Sequence, residues 1–175
     1  MKKSLLVSLI IAFCLLNLQT NAQSSLTKET SRNHLFIELV GSGGFYSLNY
    51  ERMVNPKLYV RLGLSYLNTR NAEIQFPDGE VRRSTKAFTV PIFVGRLIGK
   101  NNHYFEVGAG VIPNLFLVDE ANPAIEDEFF LYGGLIVGYR YQPDTKGIIF
   151  RAGFTPWFTF KEFIPLPGLS IGYRF

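Results

Sequence analysis

Seven charged residues lie inside otherwise apolar stretches of this 175-residue chain: Glu38, Glu51, Arg61, Glu106, Arg140, Arg151 and Arg174. Local sequences such as Ile37-Glu38-Leu39, Phe105-Glu106-Val107 and Phe150-Arg151-Ala152 are typical of them. Three are acids and four are arginines. A planar guanidinium matches a carboxylate bidentately, so this set is equipped for ion pairing rather than for proton transfer. Histidine chemistry is poorly supported. A hydrolytic site needs a serine, a histidine and an orienting carboxylate within reach of one another, yet His34 is followed by Leu35-Phe36 and His103 by Tyr104-Phe105. The acids Asp119, Glu120, Glu126, Asp127 and Glu128 are hard ligands of the kind calcium takes, but they lack the regular Asp-x-Asp-x-Asp-Gly spacing. A solvated loop accounts for them. No catalytic, cofactor-binding or metal-binding residue is assigned.

The element that must carry these charges is the β-strand. At the end of the chain Leu169, Ile171, Tyr173 and Phe175 alternate with Gly168, Ser170, Gly172 and Arg174. Successive side chains of a strand point to opposite faces, so one face here is wholly apolar and the other small or polar. The same alternation recurs and predicts eight strands, over 34–41, 45–53, 58–67, 86–96, 103–112, 128–141, 147–157 and 167–175. Their connections alternate in length. Those at 54–57, 99–102 and 142–146 are tight and rich in Asn, Asp, Pro or Gly. Those at 68–85, 113–127 and 158–166 are longer, and the connection at Ser42-Gly43-Gly44 departs from the pattern by being short.

The faces follow from parity. One face collects Ile37, Leu39, Tyr46, Leu48, Tyr50, Val60, Leu62, Leu64 and Tyr66. It continues through Val90, Ile92, Val94, Phe105, Val107, Val111, Leu135, Val137, Tyr139, Ile148, Phe150 and Phe154. The opposite face carries Asn49 and the seven charges. A charge facing hydrocarbon at mid-membrane costs roughly 2–4 kcal/mol, whereas a lumen accepts it. An eight-stranded barrel is about as wide inside as the side chains that fill it. The expected architecture is therefore an all-β, eight-stranded antiparallel transmembrane up-and-down barrel. Its lumen is plugged by Arg–carboxylate pairs. A soluble lipocalin-type barrel would need the aromatic face inside and the arginines outside, and the only tryptophan, Trp157, is far from the first strand.

Upstream, Lys2 and Lys3, the apolar run Leu5 to Leu16 and Thr20-Asn21-Ala22 predict a cleaved signal peptide over 1–22. A periplasmic segment over 23–33 and the barrel over 34–175 follow. Cys14, the only cysteine, leaves with the leader, so the mature chain has no disulfide and no thiol. Net charge falls from +4 to +2, since two lysines and no acid are lost. That balance speaks against nucleic acid as a partner. Sixteen Phe, nine Tyr and sixteen Gly suit interface girdles and a narrow lumen.

Four stretches carry a family resemblance: Asn21-Ala22-Gln23; Tyr50-Glu51-Arg52 before an Asn-Pro turn; Thr89-Val90-Pro91-Ile92; and Gly168 to Phe175. By these the chain resembles the small outer-membrane β-barrel proteins of Gram-negative bacteria, of the OmpX and OmpA-barrel type, in the form common in Bacteroidota and within the wider porin-like group. The resemblance implies an outer-membrane location and a monomer embedded among lipids and lipopolysaccharide. It also implies that Phe175, with Tyr173, is the signal read by the outer-membrane assembly machinery. Lipid A-modifying members would need a His-x-Ser pair, which is missing, and the short first loop departs from adhesin-type members. Arg70, Arg82, Arg83 and Lys86 could meet lipopolysaccharide phosphates. His34 and His103 read as periplasmic-rim anchors, and Tyr66, Tyr132, Trp157, Phe158 and Phe160 as girdle residues. The function expected is a non-catalytic, sealed barrel that is structural or binds through its loops. The alternative is a lipid A- or phospholipid-modifying enzyme or a narrow channel.

Overall fold

The computed structural model describes residues 31–75, 81–118, 128–160 and 162–175. The expected leader over 1–22, and 23–30 of the segment after it, lie outside the described residues. Eight antiparallel strands form a closed barrel. The first is Asn33–Val40, the second Tyr46–Asn55 and the third Leu58–Gln75. The fourth runs as Val81–Thr89 and Ile92–Lys100, the fifth as His103–Val118 and the sixth as Glu128–Tyr141. The seventh runs as Gly147–Phe154 and Trp157–Phe158, and the eighth as Phe163–Ile164 and Pro167–Arg174. Each strand pairs with its neighbour in sequence. The first pairs with the last, from His34↔Arg174 to Val40↔Gly168, which closes the sheet and leaves no edge.

Proline explains the breaks. Lacking an N–H, Pro91 cannot donate to the ladder, yet its carbonyl still accepts from Gly63 N at 2.8 Å, and Val90 N donates to Pro113 O at 3.0 Å. Pro156 interrupts the seventh strand in the same way, its carbonyl accepting from Leu135 N. The barrel wall stays continuous through both.

One end carries both termini of the barrel and the three tight connections. There Asn101 and Asn102 both have positive φ, 56° and 70°, in a two-residue turn closed by Lys100↔His103. Two left-handed residues match the right-handed twist of the flanking strands. At the neighbouring turn Asn55 Oδ1 accepts from the backbone N–H of Lys57 and of Leu58, both at 2.9 Å.

The opposite end departs from the expected boundaries. Most of 68–85, expected as a loop, is strand: the third and fourth strands pair as far as Gln75↔Val81. The fifth strand runs to Val118 rather than 112, and Phe163–Ile164 pairs with Trp157–Phe158 inside the expected loop 158–166. The alternation of polarity that marks a strand in sequence requires two different surroundings. Beyond the apolar belt that contrast is lost while backbone pairing continues.

A charge-filled lumen as the candidate functional site

Parity fixes what enters the barrel. Even positions of the first strand face in, odd positions of the second and third, and even positions of the fifth and sixth, so Glu38, Asn49, Glu51, Arg61, Glu106 and Arg140 are all buried. Arg151 and Arg174 join them from the seventh and eighth strands.

Glu51 is the hub of the half nearer the termini. Its Oε1 accepts from Arg140 Nη2 at 2.6 Å, and its Oε2 accepts from Arg151 Nη2. Glu106 Oε1 lies 3.4 Å from Arg140 Nη1 and 3.5 Å from Arg151 Nη2. His34 Nδ1 is 2.8 Å from Glu51 Oε1 and 3.0 Å from Arg140 Nη2. Since an ionised carboxylate only accepts, the His34–Glu51 hydrogen bond is donated by the imidazole, in the tautomer with the proton on Nδ1. Side chains from the first, sixth and seventh strands thus converge on one carboxylate of the second.

The second cluster lies toward the other end and explains the short first connection. Residues Gly41–Gly43 form a single tight turn that folds inward, all three buried. Ser42 donates to Glu38 Oε2 through both its backbone N–H, at 3.1 Å, and its hydroxyl, at 2.5 Å. Arg61 Nη2 donates to the same oxygen at 2.5 Å, and Arg61 Nε donates to Asn49 Oδ1 at 3.0 Å. Gly41 has φ +78°, and a Cβ there would lie 2.9 Å from the Glu38 carboxyl carbon. Glycine allows both the backbone conformation and the close approach.

Aromatic rings join the clusters. The Phe36 ring has Arg151 at 4.1 Å and Arg61 at 4.8 Å from its centroid, while Tyr59 has Arg140 at 5.4 Å and Arg151 at 5.7 Å. A guanidinium sandwiched between carboxylate and ring has its edge and its face both engaged. Glu38, Glu51 and Glu106 balance Arg61, Arg140 and Arg151 in charge. Among the described residues no group of three His, Cys, Asp or Glu side chains could hold a metal ion.

Arg174 corrects the expected scheme. It is buried but meets no carboxylate within 4 Å among the described residues; Nε donates to Ser31 O at 2.7 Å and Nη1 to Pro143 O at 2.6 Å. It is the last residue of the eighth strand, out of reach of the central acids, and ties down the terminal rim instead. His34, expected at the rim, is fully buried in the network. Its even position, in step with Phe36 and Glu38, was the available signal. Tyr132 and Trp157, expected in a girdle, point inward too, and their rings pack 5.4 Å apart beside Phe93, Ile112 and Ile136. Parity with Arg140 and Arg151 predicts both. His103 is exposed at the turn end, its Nδ1 2.6 Å from the Tyr139 hydroxyl. Tyr173 and Phe175 are exposed on the outer wall. The acidic stretch 119–127 and the side chains of Arg70, Arg82 and Arg83 lie outside the described residues, while Lys86 is exposed.

No protein-family model matches the chain, and no curated protein matches it. Solved structures do. The N-terminal β-barrel domain of Pseudomonas aeruginosa OprF superposes with a TM-score of 0.58 at 10% identity, covering 82% of this chain and 96% of that one. The Yersinia pestis outer membrane protein Ail in a phospholipid bilayer nanodisc gives 0.47 at 12% identity, covering 83% and 99%. A crystal structure of Ail with the heparin analogue sucrose octasulfate gives 0.44 at 16% identity, covering 83% and 97%. The OprF superposition places the fold among eight-stranded barrels.

Proposed function

We propose that this barrel spans the outer membrane of a Gram-negative bacterium as a monomeric, non-catalytic protein with a sealed lumen. In this reading it strengthens the envelope or presents its loop end for binding. One observation carries it: the molecule is polar inside and banded outside. Ile37, Leu48, Leu62, Leu64, Val94 and Val137 form an exposed aliphatic belt, with each residue more than 40% exposed. Tyr50, Tyr139, Tyr141 and Tyr173 ring it toward the termini, and Tyr46, Tyr66 and Phe88 toward the loop end. A soluble protein would leave that much apolar surface in water. Hydrocarbon covers the belt and headgroups meet the aromatic rings.

The sealing rests on the balanced charges, the stacked rings and the inward first turn. Outer-membrane lipids, with lipopolysaccharide on the outer side, are the surrounding partners. The assembly machinery would read the strand ending in Tyr173 and Phe175. Single-channel recording in planar bilayers tests the reading: refolded protein should give no stable conductance, whereas large, long-lived openings would establish a channel. A phospholipase assay on the same sample should be blank, and turnover there would establish the enzyme alternative.

A further inference from the structure

We infer that the loop-end mouth of the barrel is a binding pocket for a single uncharged alkyl chain bearing one hydroxyl or carbonyl group. The inference goes beyond the envelope reading and does not rest on it. It starts from a change of character along the lumen. Toward the termini the interior is ionic, but at the mouth the inward positions turn apolar. There Leu67, Ala87, Phe116, Trp157 and Leu166 wall a concavity of about 340 Å³, and among the described residues no charged side chain lines it. An end that opens to water has no need of apolar walls unless something apolar fills it.

The size and the polar groups specify the occupant. Ligand pockets start at roughly 300 Å³, and most are apolar with a few placed polar groups. One turn of helix, about 10 Å across and about 5.4 Å long, already exceeds this volume, so a peptide helix does not enter. The polar side chains are Ser65, Thr89 and Asn114. Thr89 Oγ1 donates to Asn114 Oδ1 at 2.6 Å, and Asn114 Nδ2 donates to Ile112 O at 2.9 Å, which holds the group in place. These hydroxyl and amide groups offer partners to one ligand oxygen, whereas among the described residues a charged head would have no counter-ion in the pocket. The Phe93, Ile112, Tyr132 and Ile136 cluster packs behind the Trp157, Ile164 and Leu166 wall.

Trp157 is the only tryptophan in the sequence, and its emission reports directly on the site. The probe is a medium-chain alcohol brominated at its far carbon, titrated into the chain refolded in bilayer nanodiscs. The expected result is saturable quenching of at least half the emission, reversed by the unbrominated alcohol. In Ala87→Phe, which fills the pocket, the midpoint should rise tenfold or more; in Leu62→Phe, on the lipid-facing wall, it should not move. Asn114→Leu should weaken the alcohol but not the corresponding bromoalkane. No quenching, or quenching that grows in proportion to membrane-dissolved probe without saturating, would overturn the site. So would an unchanged midpoint in folded Ala87→Phe. Should Ala87→Phe fail to fold, failure of the unbrominated alcohol to compete in the unmodified protein would overturn it equally. Equal losses for alcohol and alkane in Asn114→Leu would overturn the assigned head group.

Discussion

Glu51 shows how one residue holds a lumen together. It touches two guanidiniums and an imidazole from the first, sixth and seventh strands. Truncating it to alanine leaves Arg140 and Arg151 facing each other with only Glu106 between them. Breaking a buried pair by removing one partner typically costs about 3–5 kcal/mol. Glu51→Ala should therefore lower stability by an amount of that order in urea unfolding from bilayers, with Arg140→Ala close behind. Arg96→Ala, at an exposed outward position, should change it by less than about 0.5 kcal/mol. Similar midpoints for Glu51→Ala and Arg96→Ala would show that luminal water, not pairing, solvates these charges. Gly95 makes a complementary case. A Cβ there would come within 2.2 Å of the Tyr59 ring, the ring that lies 5.4 Å from Arg140 and 5.7 Å from Arg151. Gly95→Val should displace Tyr59 and cost about 1–3 kcal/mol by overpacking. A folded variant with unaltered stability would mean that the ring position is not structurally required.

At the scale of elements, the seam between first and last strands is the joint on which closure depends. Phe175 N donates to Asn33 O at 2.9 Å, one step beyond the His34↔Arg174 pair, so the final residue completes the ladder. Phe158 is also an exposed aromatic but sits in a two-residue segment at the other end. Deleting Phe175 should reduce the yield of folded, heat-modifiable protein several-fold in cells, while Phe158→Ala leaves it near the parent level. Equal yields would remove any special part of the last strand end in assembly. The first turn is the other decisive element. Its shortness reads in sequence as a missing external loop, but the structure gives it a job inside, with Ser42 capping Glu38.

For the whole molecule, the inversion of a soluble protein's polarity is the governing fact. Among the described residues, buried apolar side chains gather in a cluster around Phe93 and Ile112 and another around Met53, Tyr59 and Leu97, with Phe36, Ala87 and Ile149 outside them. Much of the remaining interior is polar and paired. On the membrane-spanning reading proposed above, stability depends on a surrounding bilayer for the outer wall and on ion pairs for the lumen, which predicts a protein that unfolds or aggregates when detergent is withdrawn. A monodisperse, folded sample in detergent-free buffer, judged by scattering and circular dichroism, would contradict that dependence.

What the sequence determined by itself was the alternation. A period of two in strands that separate an apolar outer face from a lumen assigns Glu38, Glu51, Arg61, Glu106, Arg140 and Arg151 to one face without any coordinates, and the turn chemistry at Asn55 and Asn101-Asn102 separates the strands. It also held unused information, since the same parity puts His34, Tyr132 and Trp157 inside. The tertiary structure decided who pairs with whom. Parity says that a residue faces the lumen, but not its height or angle around the axis, which depend on the stagger of all eight strands. So Arg174 falls at the rim among backbone carbonyls, while Arg140 reaches Glu51, 89 residues away in sequence. The mouth pocket belongs to the tertiary structure for the same reason: Leu67, Ala87, Phe116 and Leu166 come from four strands or connections, and only closure of the barrel brings them to one wall.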